Sequence, residues 1–135
     1  VMELLKKKGY TLIPVCPEQL GGLATPREPA EIQNGTASDV LKGDAKVANK
    51  IGEDVTEQFV KGAIETLRIA KLYNCSAAIL KSKSPTCGYG IIYDGSFSGR
   101  LIEGNGVTAQ LLSDNGIKVM GEDDFKEDEI NITCI

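Results

Sequence analysis

The chain has 135 residues, a formal net charge of −4, four cysteines and no histidine. That length holds one domain with a core. The acidic balance excludes bulk electrostatic attraction to nucleic acid or an anionic membrane, and no apolar stretch nears the roughly 18 residues of a membrane span. The missing histidine excludes Ser-His-Asp and Cys-His nucleophiles and histidine zinc sites. Proton transfer is left to Glu, Asp, Lys, Tyr, Cys or water.

Four cysteines are too few for a disulfide scaffold, so a cytoplasmic protein with free, catalytic or metal-bound thiols is expected. Residues 2–8 are read as a helix that Gly9 ends, with Lys6, Lys7 and Lys8 at its C-terminal dipole. "TLIPV", 11–15, is a short strand in which Pro14 removes one ladder bond. A loop rich in proline and glycine follows, "CPEQLGGLATPREPAEI". Residues 40–55 read as a small hairpin or meander on an edge. Asp54 is expected to cap the next helix, with Glu57 completing a capping box.

Phe59, Ala63, Leu67 and Ala70 share one face of a helix over 55–73, closed by Asn74 in a left-handed turn. "SAAILK", 76–81, is apolar throughout, as a strand covered on both faces requires. "SKSPTCGYG" follows, then a glycine-rich irregular stretch with short strand pieces. Residues 107–116 form a helix closed by Gly116, and 117–120 a strand. Residues 122–135 read as an acidic tail.

Helix, strand, helix, strand, helix, strand implies parallel strands joined by crossovers. The predicted fold is α/β: a small doubly wound, three-layer, Rossmann-like domain over 1–121 with a mostly parallel sheet. Its first element is a helix with no strand before it, so an N-terminal strand is expected to be missing from the chain as given.

In open parallel sheets, ligands bind beyond the carboxyl ends of the strands. Cys16 directly follows strand 11–15, and Cys87 lies six residues beyond strand 76–81. Both therefore belong to the ligand edge. Cys75 lies on the opposite edge, as a packing thiol, and Cys134 lies in the tail. Lys81 and Lys83 before Cys87 favour a thiolate, and Gly88 and Gly90 after it let backbone approach a ligand. Arg27 in "GGLATPREP" is a weaker anion-binding candidate, set against a plain ion pair with Glu28 or Glu31. Two converging thiolates without histidine suit a metal, a disulfide or a nucleophile with a resolving partner. No CxxC spacing decides among them.

"GYTLIPVCPEQLGGLATPREPAEI", "AILKSKSPTCGYG" and "YDGSFSGRLIEGNGVTAQLL", in that order, resemble the thiouracil desulfurase (desulfidase) family. The resemblance implies a compact α/β domain with a 4Fe-4S cluster on three cysteines. It implies an enzyme that takes sulfur from a thiolated nucleobase and replaces it with oxygen from water, without net redox change. Carried over, Cys16 and Cys87 match two cluster ligands. Glu18 matches an acidic residue beside the cluster, a candidate for proton transfer set against a cap on the following turn or a pair with Arg27, and Ser84 is a candidate for orienting substrate. Arg27 and Lys83 remain candidates for binding substrate or an anion.

The family's first cysteine, in an S-A-C-L-L-G segment, has no match here. The third ligand is expected from a missing N-terminal segment, and the chain as given is expected not to retain the cluster. The implied partner is a small thio-compound, not nucleic acid or membrane. Two other readings stay open: a metal-free enzyme with Cys87 as nucleophile and Cys16 resolving, and an anion- or small-molecule-binding module without chemistry.

Overall fold

The computed structural model describes residues 9–122 and the backbone of 132–134. The helix read over 2–8 lies outside the described residues. Among the described residues the main sheet has four strands: β1 (Ile13–Val15), β4 (Ala77–Leu80), β7 (Lys118–Gly121) and β8 (Ile132–Cys134). Their order is β1-β8-β4-β7 and all pairings are parallel. Pro14 sits in β1, an edge strand of this sheet, where its missing N–H costs least. β4 is buried along its whole length, as its unbroken apolar run requires.

Two helices pack on one face of this sheet. α3 (Thr56–Leu72) and α4 (Val107–Asp114) bring Ala70, Ala109 and Leu112 against Ala78, Leu80 and Val119. Ala77, Ile79 and Met120 point to the other face, where Tyr10 and Leu12 pack on them. The fold is mixed α/β with small sheets, one of them parallel. Among the described residues the helices cover one face only, so the three-layer Rossmann-like expectation is met only at this coarser level.

The excursion between β1 and α3 differs from the sequence reading. The hairpin or meander expected over 40–55 is instead a helix followed by a strand. α1 (Pro17–Leu20) comes first, then β2 (Ala30–Gln33), α2 (Ala37–Lys42) and β3 (Lys46–Asn49). β2 and β3 pair antiparallel. α2 is one short helix with a complete capping box: Thr36 accepts from the Asp39 amide and Asp39 accepts from the Thr36 amide. Gly43, at φ +87°, closes it. The capping box expected from Asp54 and Glu57 does not form. Val55 is the N-cap of α3, and Asp54 accepts from the Thr56 amide and hydroxyl instead.

α3 itself ends within a residue of its expected bounds, and Asn74 follows it at φ 54°. The glycine-rich stretch forms a two-stranded antiparallel ribbon, β5 (Ile91–Tyr93) and β6 (Leu101–Glu103). Ile32, Val40, Val47, Phe59, Ile92 and Val107 make a second core that joins these small sheets to α3 and α4.

Candidate functional site

Cys16 directly follows β1 and is the N-cap residue of α1, with an extended backbone and no capping bond from its side chain. Its sulfur is therefore available to the space beyond the strand ends. The turn that carries it is fixed by two glycines. A Cβ on Gly21 would lie 1.8 Å from the Gln58 carbonyl oxygen, and one on Gly62 would lie 2.0 Å from the Pro17 carbonyl oxygen. α1 thus touches α3 backbone to backbone, a separation that side chains at either position would prevent.

Cys87 is held from another direction. The Ser84 hydroxyl accepts from the Thr86 and Cys87 amides, each at 3.1 Å. The Val107 amide donates to the Pro85 carbonyl at 2.8 Å, and the Ala109 amide to the Thr86 carbonyl at 3.0 Å. Inside, the Thr86 and Thr108 hydroxyls meet at 2.6 Å. A Cβ on Gly106 would lie 2.4 Å from the Thr86 carbonyl carbon. The 84–88 loop is thereby locked to the start of α4. Cys87 is buried, and it is disulfide-bonded in the structure, which departs from the free, catalytic or metal-bound thiols expected from the cysteine count.

Both cysteines line one open cavity of about 790 Å³ at the strand-end edge. Glu18, Arg27, Lys83 and Ser84 line it too. All six residues singled out from the sequence therefore share one cavity, and Cys75 is not among its walls. Cys75 sits in the core at the opposite end of β4, where burial pushes its thiol pKa up.

Arg27 organises one wall. Its Nε donates to Glu18 Oε2, its Nη2 to Cys16 Sγ at 3.5 Å, and its Nη1 to the Ala24 carbonyl and the Thr25 hydroxyl. Burial of the guanidinium works against its charge. The bonds to Glu18 and Cys16 outweigh that and raise its pKa above the ordinary arginine value. Of the partners weighed for Arg27 from the sequence, Glu18, Glu28 and Glu31, it is Glu18 that holds it.

The sequence reading did not assign Glu31, Tyr93 or Phe97 to the site, yet all three line the cavity. Glu31 is 7% exposed, and its Oε1 accepts from the Gly95 and Phe97 amides at 2.9 and 3.1 Å. No sequence signal ties a carboxylate to a turn more than sixty residues away. The pairing of β2 with β3 and the ribbon beside it bring the two together.

The chemistry of the donor set bears on a metal cluster. Thiolates are soft ligands of the kind iron–sulfur clusters take, three or four at a time. Cys16 and Cys87 supply two donors to one cavity. No group of three or more histidine, cysteine, aspartate or glutamate side chains suited to a metal occurs among the described residues. The two thiols fit two corners of such a group, with Cys87 reduced.

Three comparisons bear on these residues. The model of the 2-thiouracil desulfurase family matches residues 1–124. Uncharacterized protein YbbK of Bacillus subtilis is 55% identical over 112 residues, covering 83% of this chain and 74% of its own. The solved structure of the [4Fe-4S]-dependent thiouracil desulfidase TudS superposes with a TM-score of 0.77 at 39% identity. That match covers 90% of this chain and 74% of the other.

Proposed function

Because this chain belongs to the 2-thiouracil desulfurase family, we propose that it removes sulfur from a thiolated nucleobase or a close thio-compound. The observation that carries this reading is the shared cavity. Two strand-end cysteines, a carboxylate and a guanidinium line one open space, on the edge where a parallel sheet binds its ligands. The reaction exchanges a thiocarbonyl sulfur for the oxygen of water and releases hydrogen sulfide. Atoms balance without any electron donor or acceptor.

Cys16 and Cys87 would hold a 4Fe-4S cluster, with a further ligand from outside the described residues. When bound, the cluster supplies a thiophilic Lewis acid for the departing sulfur. The remaining work falls to this chain's own side chains. Glu18 has one oxygen, Oε2, engaged by Arg27; we assign proton transfer from the attacking water to Oε1. Arg27 holds that carboxylate and the Cys16 sulfur in fixed relation. Ser84 spends its acceptor capacity on the 84–88 loop, and its hydroxyl hydrogen is the part left to orient substrate. Lys83 places a cation at the same cavity for a substrate oxygen or an anionic ring nitrogen.

The test is stoichiometric. Protein prepared without oxygen is incubated with 2-thiouracil, and sulfide and uracil are measured together. Equal amounts of the two, formed with no added reductant or oxidant, are expected. Sulfide release that requires an electron donor contradicts the non-redox reading.

A further inference from the structure

Among the described residues, four other than glycine have a left-handed backbone: Asn34, Asn74, Lys83 and Phe97. Asparagine tolerates that region, whereas a bulky side chain there is a genuine outlier. The two that are not asparagine, Lys83 at φ 66° and Phe97 at φ 57°, both line the cavity. Strain of this kind persists only where the surroundings enforce it, and it collects at ligand sites.

At Phe97 the enforcing groups are visible. Glu31, buried on β2, accepts the Gly95 and Phe97 amides with one carboxylate oxygen. The Gln33 side chain donates to the Gly95 carbonyl at 2.9 Å. A Cβ on Gly95 would lie 2.6 Å from the Ile32 carbonyl oxygen, so the turn lies directly on β2. Asp94 accepts from the Ser96 amide at 2.9 Å. A turn fastened at both ends presents an aromatic side chain, half-buried, to the space beside Cys16 and Cys87.

We propose that Phe97 is the residue that selects the ring of the substrate. It is a fixed aromatic wall that takes a flat, unsaturated heterocycle, and Glu31 is the positioning residue that holds it there. The inference rests on the desulfurase reading and adds the substrate class at its ring. Stacking is available to any planar base and is lost when the ring puckers.

The experiment compares 2-thiouracil with 5,6-dihydro-2-thiouracil, which keeps the thiocarbonyl and both ring N–H groups but is not planar. Wild type should show a lower KM for the planar compound. Phe97→Leu should raise that KM on the order of 10–100-fold, leave the KM for the dihydro compound unchanged, and change kcat little for either. Phe97→Tyr should restore the preference.

Phe97→Gly should lose the preference as Phe97→Leu does while keeping its melting temperature, because glycine relieves the left-handed strain. Glu31→Ala should weaken planar binding in wild type and add nothing in the Phe97→Leu background. Equal KM values for the two compounds in wild type, or an unchanged preference in Phe97→Leu, overturns the proposal and leaves the desulfurase reading standing. No sulfide from either compound overturns both.

Discussion

Glu18 and Arg27 form an ion pair in which both side chains are only partly exposed, 18% and 26% respectively. A bond of that kind can serve structure alone, so the role of Glu18 must be separated from it. Glu18→Gln is nearly isosteric and keeps an acceptor for Arg27. If Oε1 carries the proton, turnover per cluster should fall roughly 10²–10⁴-fold at unchanged iron content. Turnover close to wild type would assign Glu18 to the ion pair and remove it from the chemistry.

The cysteines differ at the same scale. Cys16 is a free thiol at the cavity, whereas burial raises the pKa of Cys75. Alkylation of the native protein near neutral pH should therefore modify Cys16 well before Cys75, as mass spectrometry of timed samples can show. The strand-end positions of Cys16 and Cys87 made their shared edge and cavity legible. Glu31 and Phe97 were not legible as cavity residues, because a contact between distant segments brings them there.

Among the elements, the turn carrying Cys16 depends on the close approach of α1 to α3. Gly62→Ala would place a methyl group 2.0 Å from the Pro17 carbonyl oxygen, and backbone cannot yield as a flexible side chain does. The variant should lose about 1–3 kcal/mol of stability and, with the turn displaced, much of its iron. A normal unfolding midpoint with full iron content would show that the contact does not matter to the site. Phe59, 1% exposed beneath the small sheets, gives the comparison: Phe59→Ala should cost about 3–5 kcal/mol.

α3 was legible because its seventeen residues repeat one apolar face over several turns. α2 was not, because six residues are too few for a period to stand out. Its true signal was chemical. Thr36 followed three residues later by Asp39, with Gly43 beyond Lys42, carries a cap at each end, and reading periodicity first passes over it.

For the whole molecule, the order of strands and helices was enough to identify a parallel sheet and the edge at which Cys16 and Cys87 share a cavity. It was not enough to find β8. Ile132–Cys134 lies between β1 and β4, with Cys134 paired to Val15, although the surrounding sequence is acidic and without period. A three-residue strand in the middle of a sheet owes its place to its neighbours, which no local pattern records.

Acid stability also belongs to this scale. Hydrogen bonds from Thr36, Thr56 and Ser96 hold Asp39, Asp54 and Asp94 below their ordinary value of 3.8. The unfolded chain takes up those protons first as pH falls. The stabilisation is therefore present above pH 3.8 and is lost as pH drops through the lowered folded values. Thermal midpoints should be flat from neutrality to about pH 5 and fall below about pH 4. Replacing Asp39 or Asp94 with asparagine should reduce that fall, and an unaltered acid limb in both would show that other carboxylates set it. No helix among the described residues is long and apolar enough to cross a membrane.

The central claim is that Cys16 and Cys87 act together at one cavity and Cys75 stands apart. The most direct measurement is iron and acid-labile sulfide per chain in full-length protein reconstituted without oxygen, for wild type and three cysteine-to-serine variants. Wild type should bind about four of each, as a cubane requires. Cys16→Ser and Cys87→Ser should each lose most of both, and Cys75→Ser should match wild type. Full iron in either cavity variant, or loss in Cys75→Ser equal to theirs, would contradict the site.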